Sequence, residues 1–132
     1  MMEREPVFLT LAENLEIHAY QIGHFGVSDG IRSRELLESA IGIPSSSFGG
    51  TYLHPTVPEM AAAYLFHLVE NHPFLDGNKR VGTMAALVFL ELNGYDFDAT
   101  DDELTTVVLQ VASGKMPKDA LSAFFQRHSH SR

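Results

Sequence analysis

Residues His72 to Arg80 read HPFLDGNKR, placing an imidazole, a carboxylate, an amide and two cations directly ahead of the largely apolar stretch VGTMAALVFLELNG. Each residue type suits one part of a transfer reaction on a phosphate. His72 is the candidate general base, because histidine is the side chain whose ordinary pKa lies near neutrality. Asp76 has the wrong sign for a bare phosphate pocket. It suits Mg²⁺, which takes one or two carboxylates and completes its shell with substrate phosphates. Gly77 has no side chain to block a ligand from the backbone. Asn78, Lys79 and Arg80 add donors, the lysine as a point charge and the arginine as a bidentate fork. Together these residues describe a nucleotide-dependent transfer onto a hydroxyl.

Such a group needs a helix N-terminus behind it. The apolar run predicts a helix from about Asn78 to Asn93 with Gly94 just past its end. It is apolar all round, which reads as the central helix of a bundle. Its unpaired N–H groups and positive dipole end would face the polar run, a natural anion site. The plainer alternative makes Asp76 and Asn78 caps and leaves Lys79 and Arg80 solvated. Two cations at a helix start argue against that, since each costs ~0.3–1 kcal/mol there unless an anion offsets it.

The other elements also read as helices. TLAE (Thr10–Glu13) is a capping box, followed by Leu11, Leu15, Ala19 and Ile22 at helical spacing up to about Gly23. IRSRELLESAIG predicts a shorter helix from Ile31 to about Gly42, with Pro44 as a stop. PSSSFGGTYLHP predicts a loop or small β-hairpin. TVPE (Thr56–Glu59) is a second capping box, ahead of a stripe of Val57, Met60, Ala61, Tyr64, Leu65 and Leu68. TDDE (Thr100–Glu103) is a third, ahead of Leu104, Val107, Val108 and Val111, and Gly114 closes that helix. A last helix from about Pro117 carries Ala120, Leu121, Phe124 and Phe125, and residues 128–132 read as a frayed tail. The expectation is an all-α bundle of about six helices, one domain over 1–132 with its core about 7–127.

Bulk properties narrow the function. A length of 132 residues allows one real core and no second. A net charge of −8 speaks against non-specific nucleic-acid binding, which needs a basic face to replace counterions. Without cysteine there is no disulfide or thiolate metal site, which fits a reducing cytoplasm. The N-terminus MMEREPVFLTLAEN carries acids where a leader needs basic then apolar residues. No run reaches the ~18 apolar residues of a spanning helix. A cytoplasmic protein with no membrane and no direct nucleic-acid partner is expected.

HPFLDGNKR resembles the signature of the Fic/Doc superfamily, His-x-Phe-x-Asp/Glu-Gly/Ala-Asn-x-Arg. With lysine before the final arginine it is similar to the death-on-curing (Doc) branch, the toxins of toxin–antitoxin modules. The likeness extends through GIRSRELLESAI, the Gly/Ser loop and FLELNGYDF. It implies a compact helical bundle with a small β-flap. It also implies that His72 deprotonates a target hydroxyl, Asp76 coordinates Mg²⁺, and Gly77 and Asn78 form the anion-binding turn. Lys79 and Arg80 would hold the phosphates of ATP, and Phe74 would anchor the loop. In the Fic branch glycine stands where Lys79 is, and those enzymes transfer AMP. In the Doc branch the lysine goes with ATP bound in the reverse sense and transfer of the γ-phosphate to elongation factor Tu, which stops translation. Doc proteins are held inactive by an antitoxin. The Ser/Thr-x-x-x-Glu-Gly/Asn pattern of a built-in inhibitory helix is not found, since TLAEN has the wrong spacing, so inhibition is expected in trans. Two other readings stay open: an AMP transferase, and a non-catalytic binding module on the same fold.

Several residues outside the motif carry weaker signals. His54 follows the Gly-rich loop and would line the site as part of a flap or be an ordinary loop histidine. His67 and His72 do not share a helical face, which speaks against a zinc pair. His128 and His130 sit in the tail. Arg32 and Arg34 open the second helix, where solvation is the simplest role and the phosphates or the antitoxin the alternatives. Tyr64, Phe66, Phe89, Phe124 and Phe125 read as core.

Overall fold

The computed structural model describes residues 5–132; residues 1–4, the start of the acidic stretch read as no leader, lie outside the described residues. The chain runs α1 (Leu11–Phe25), α2 (Arg34–Gly42), a 3-10 turn (Ile43–Ser45), β1 (Ser47–Phe48), β2 (Thr51–Tyr52), α3 (Val57–Asn71) and α4 (Asn78–Leu92). It continues with β3 (Tyr95–Phe97), α5 (Asp101–Ala112), α6 (Lys118–His128) and β4 (Ser129–Ser131). The fold is all-α apart from two small antiparallel pairs, β1 with β2 and β3 with β4. No helix among the described residues is long and apolar enough to cross a membrane.

The centre of the bundle is α3 rather than α4, a correction to the sequence expectation. α3 packs against α2, α4, α5 and α6 and buries ten of its 15 residues. The run Ala61–Ala63 lets its neighbours come close. Gly82 does the same from α4, since a Cβ there would lie 3.2 Å from both the Leu65 carbonyl oxygen and Val69 Cγ2. α4 instead leaves Thr83, Met84, Leu87 and Val88 half-covered, and these line cavities. Tyr64, Phe74, Phe89 and Phe125 are fully buried, Phe124 is buried and Phe66 is partly buried. Burial of side chains this size contributes ~1.5–3 kcal/mol each.

The caps explain most helix starts. Thr10–Glu13 and Thr100–Glu103 are reciprocal capping boxes. At α3 only half of one forms: Thr56 accepts from the Glu59 N–H, while the Glu59 carboxylate accepts from the Thr56 hydroxyl and the Gln126 amide. α1 departs from its apolar reading, because its buried residues are Asn14, His18 and Gln21, with Leu11 and Leu15 only partly covered. α2 begins at Arg34 with Ser33 as its cap, not at Ile31, because Ile31 pairs with Phe74 as an isolated antiparallel bridge. The tail is not frayed. β4 pairs with β3 in the register Tyr95↔Ser131, and the His128 and His130 rings donate to the two oxygens of Asp98 at 2.7 and 2.6 Å. Arg132 adds ion pairs with Glu91 and Asp96.

Candidate active site

The site is the loop between α3 and α4, and long-range contacts set its shape. α3 stops at His72, whose backbone is left-handed at φ 52, ψ 52. It is the one non-glycine residue among those described with positive φ, a conformation that costs ~1–3 kcal/mol. Arg32 caps the end of the helix: its Nε donates to the His72 carbonyl at 2.6 Å and its Nη2 to the Asn71 carbonyl at 2.7 Å. Phe74 is fully buried and stacks on the His18 ring at a centroid distance of 3.9 Å. His18 also donates Nε2–H to the Asp76 carbonyl at 3.2 Å.

The segment joining α1 to α2 lies along this loop as a template. The Arg32 and Ser33 N–H groups both donate to the Pro73 carbonyl, at 2.7 and 3.0 Å, and the Leu75 N–H donates to the Gly30 carbonyl at 3.0 Å. The Ser28 N–H donates to Asp76 Oδ2 at 2.9 Å, and the Gly77 N–H to Asp76 Oδ1 at 2.9 Å. Gly77 is required twice over. Its φ is +85, and a Cβ there would lie 2.6 Å from Val27 Cγ1.

His72, Asp76, Gly77, Lys79 and Arg80 come together around a cavity of about 320 Å³. The Ser28 N–H bond holds the Asp76 carboxyl below its ordinary range, helped by the Gly77 N–H, Lys79 and His18, against an opposing contribution from desolvation. Asp76 is therefore an anion at neutral pH, with a lone pair still free on each oxygen. Lys79 and Arg80 also form a wall of a second, more apolar cavity of about 440 Å³, backed by Phe25, Leu87, Leu104 and Val108. The Arg80 guanidinium lies over the Phe25 ring, 4.4 Å from its centroid. Among the described residues neither Lys79 nor Arg80 is paired with a carboxylate. Two free cations at a helix N-terminus leave a charge that an anion would balance.

One predicted donor is spent elsewhere. Asn78 is 4% exposed, and its side chain closes the loop on itself. Its Oδ1 accepts from the Phe74 N–H and its Nδ2 donates to the Phe74 carbonyl, both at 2.9 Å. Only its backbone remains for an anion, because the amide satisfies two buried main-chain groups first. His54 does not line the site; it lies in the electrostatic reach of His67 and Lys118, whose positive charge disfavours protonation of both histidines. Its Nδ1 and His67 Nε2 are buried without partners, and burial lowers both pKa values, that of His67 to about 4. Arg34 pairs with Glu38 on the surface.

Sequence reasoning missed His18, Ser28 and Val27, and missed that Arg32, exposed as expected, also caps α3. His18 alone left a signal, since Asn14, His18 and Gln21 put a polar stripe at i, i+4, i+7 where an apolar one was sought. Mg²⁺ fits the donor set in one way. No group of three or more His, Asp or Glu among the described residues could hold a metal. Asp76 alone would hold Mg²⁺, with phosphates completing the shell.

A family model described as the Fic/DOC family matches residues 8–90, which take in α1 to α3, the whole loop and all but the last two residues of α4. The chain is also 34% identical over 103 residues to Toxin Doc of Mycolicibacterium smegmatis, covering 75% of this chain and 78% of that protein.

Proposed function

Because this chain belongs to the Fic/DOC family, we propose that it is the toxin of a toxin–antitoxin module that transfers the γ-phosphate of ATP to a protein hydroxyl. Elongation factor Tu is the proposed target, arrest of translation the outcome, and an antitoxin bound in trans the control. The observation that carries this reading is the shared wall. Lys79 and Arg80 stand between the cavity of His72 and Asp76 and the larger apolar one. A triphosphate lying across them would put its last phosphate on the His72 side and its nucleoside among Phe25, Leu104 and Val108. The larger cavity, at about 440 Å³, is within the usual range for small-molecule sites.

The chemistry then follows from the side chains. The target oxygen bonds to the γ phosphorus as the bridging bond to ADP breaks, and its proton goes to the His72 ring. The charge on the γ oxygens meets Lys79, Arg80 and the first N–H groups of α4, donors already in place before reaction. Mg²⁺ held by Asp76 would supply neutralisation of the phosphate charge.

The test uses ATP labelled at the α or the γ phosphorus, with Mg²⁺ and a bacterial lysate. A labelled protein of the size of elongation factor Tu from the γ position only is expected. The signal should be lost in Asp76→Ala and fall roughly 10²–10⁴-fold in His72→Ala. Label from the α position would make the chain an AMP transferase. Label from neither, with tight partner binding, would make it a binding module.

A further inference from the structure

We propose that Arg32 is a positioning residue for His72, holding it in the left-handed conformation that keeps its ring on the wall of the smaller cavity. The inference rests on the reading of His72 as the base. The end of α3 presents carbonyls that the helix cannot pair, at the negative end of its dipole, where a cation is well matched. The guanidinium of Arg32 meets two successive carbonyls there, Asn71 at 2.7 Å and His72 at 2.6 Å. A planar fork reaches both, whereas an ammonium is a point charge.

The clamp is anchored on its own side as well. Ile31 is bridged to Phe74, and the Arg32 N–H donates to Pro73. Arg32 therefore grips residues 71–73 through its main chain and its side chain together. Its charge is not used elsewhere, for no carboxylate pairs with it among the described residues. The His72 imidazole is aimed through its backbone. Its ring makes no hydrogen bond among the described residues, so its direction depends on a backbone conformation that a non-glycine residue leaves when released. Arg32 touches no reacting atom in this scheme. It acts through the His72 peptide.

Kinetics of purified Arg32→Gln and Arg32→Lys test this, using the labelled phosphorus that the wild type transfers. For Arg32→Gln a fall in kcat of roughly 10–100-fold is expected, with KM for ATP within about twofold, because a misplacement near 1 Å costs rates of that order. Arg32→Lys should recover part of the loss. In a His72→Ala background, Arg32→Gln should change the residual rate by less than about twofold. A shifted urea midpoint with unchanged kcat would make Arg32 merely structural and overturn the proposal. An equal loss in the His72→Ala background would overturn the route through His72. Wild-type rates in His72→Ala, or no transfer by the wild type, would instead sink the reading of His72 as base. The clamp is then decided by NMR of the His72 ring, assigned by its loss in His72→Ala. Broadening or doubling in Arg32→Gln supports it, and an unchanged resonance refutes it.

Discussion

Replacing Asn78 separates two roles that its place in the motif confuses. If its amide binds phosphate, the variant should fold normally and bind ATP poorly. If it clasps Phe74, the variant should be unstable. Asn78→Ala removes two 2.9 Å bonds at a 4% exposed position and leaves the Phe74 N–H and carbonyl buried without partners. Each such orphan costs ~1–3 kcal/mol, and water entering the vacated space would bring the pair to about 2–4 kcal/mol. With a urea slope of ~1–3 kcal/mol per molar, the unfolding midpoint should fall by roughly 1–2 M. Asn78→Asp sharpens the test. It keeps an acceptor for the Phe74 N–H but sets a second oxygen against the Phe74 carbonyl. Burial and that carbonyl both favour the protonated acid, so its folded pKa should rise above the ordinary ~3.9. A raised folded pKa means the native state binds the extra proton, so this variant should be nearest to wild type below about pH 4 and lose stability as pH rises. A midpoint for Asn78→Ala within about 0.3 M of wild type, with weakened ATP binding, would refute the clasp.

Two further outcomes follow from the same geometry. Gly77→Ala should cost about 2–4 kcal/mol in urea unfolding, from its φ of +85 and a Cβ 2.6 Å from Val27 Cγ1. Adding Val27→Ala should recover the clash but not the backbone strain, and simple additivity of the two losses would sink this account. Burial holds His67 near pKa 4 in the fold, with Lys118 and His54 adding to the effect. The unfolded chain binds that proton at a higher pH. The stability from keeping His67 neutral should be complete above about pH 6.5 and drain away as pH falls toward 4. After discounting for partial exposure this is about 1–2 kcal/mol. His67→Leu should flatten the acid limb of a stability–pH curve, and an unchanged limb would place the acid sensitivity elsewhere.

The helices were legible because their information is local. Capping residues and apolar spacing lie within a turn or two of the backbone they shape, as at Thr10–Glu13 and Thr100–Glu103. The errors fall where partners lie far along the chain. Ile31 fits the start of a helix until Phe74 offers it a bridge. The residues after Arg127 read as frayed until Asp98 supplies a carboxylate to both histidines. Asn78 is the exception: it reads as a ligand donor, yet Phe74, only four residues away, takes both ends of its amide. In the first two cases a distant group satisfies what the local pattern assigned to water, and in the third a near one takes what it assigned to a ligand.

The same division runs through the site. The motif names the groups that face the cavity, but a chain carrying only those nine residues would not hold them there. His72 takes a strained backbone, position 77 faces Val27 so closely that only glycine fits, and the carboxylate of Asp76 accepts from the Ser28 N–H. All three involve the single stretch from Val27 to Ser33, which has no residue in the cavity except Val27. That stretch makes its contacts mainly with backbone groups: two N–H groups on Pro73, one carbonyl to Leu75, one guanidinium across Asn71 and His72. Backbone contacts leave little trace in residue types, so the half of the site that orients the other half is the half a sequence motif does not record.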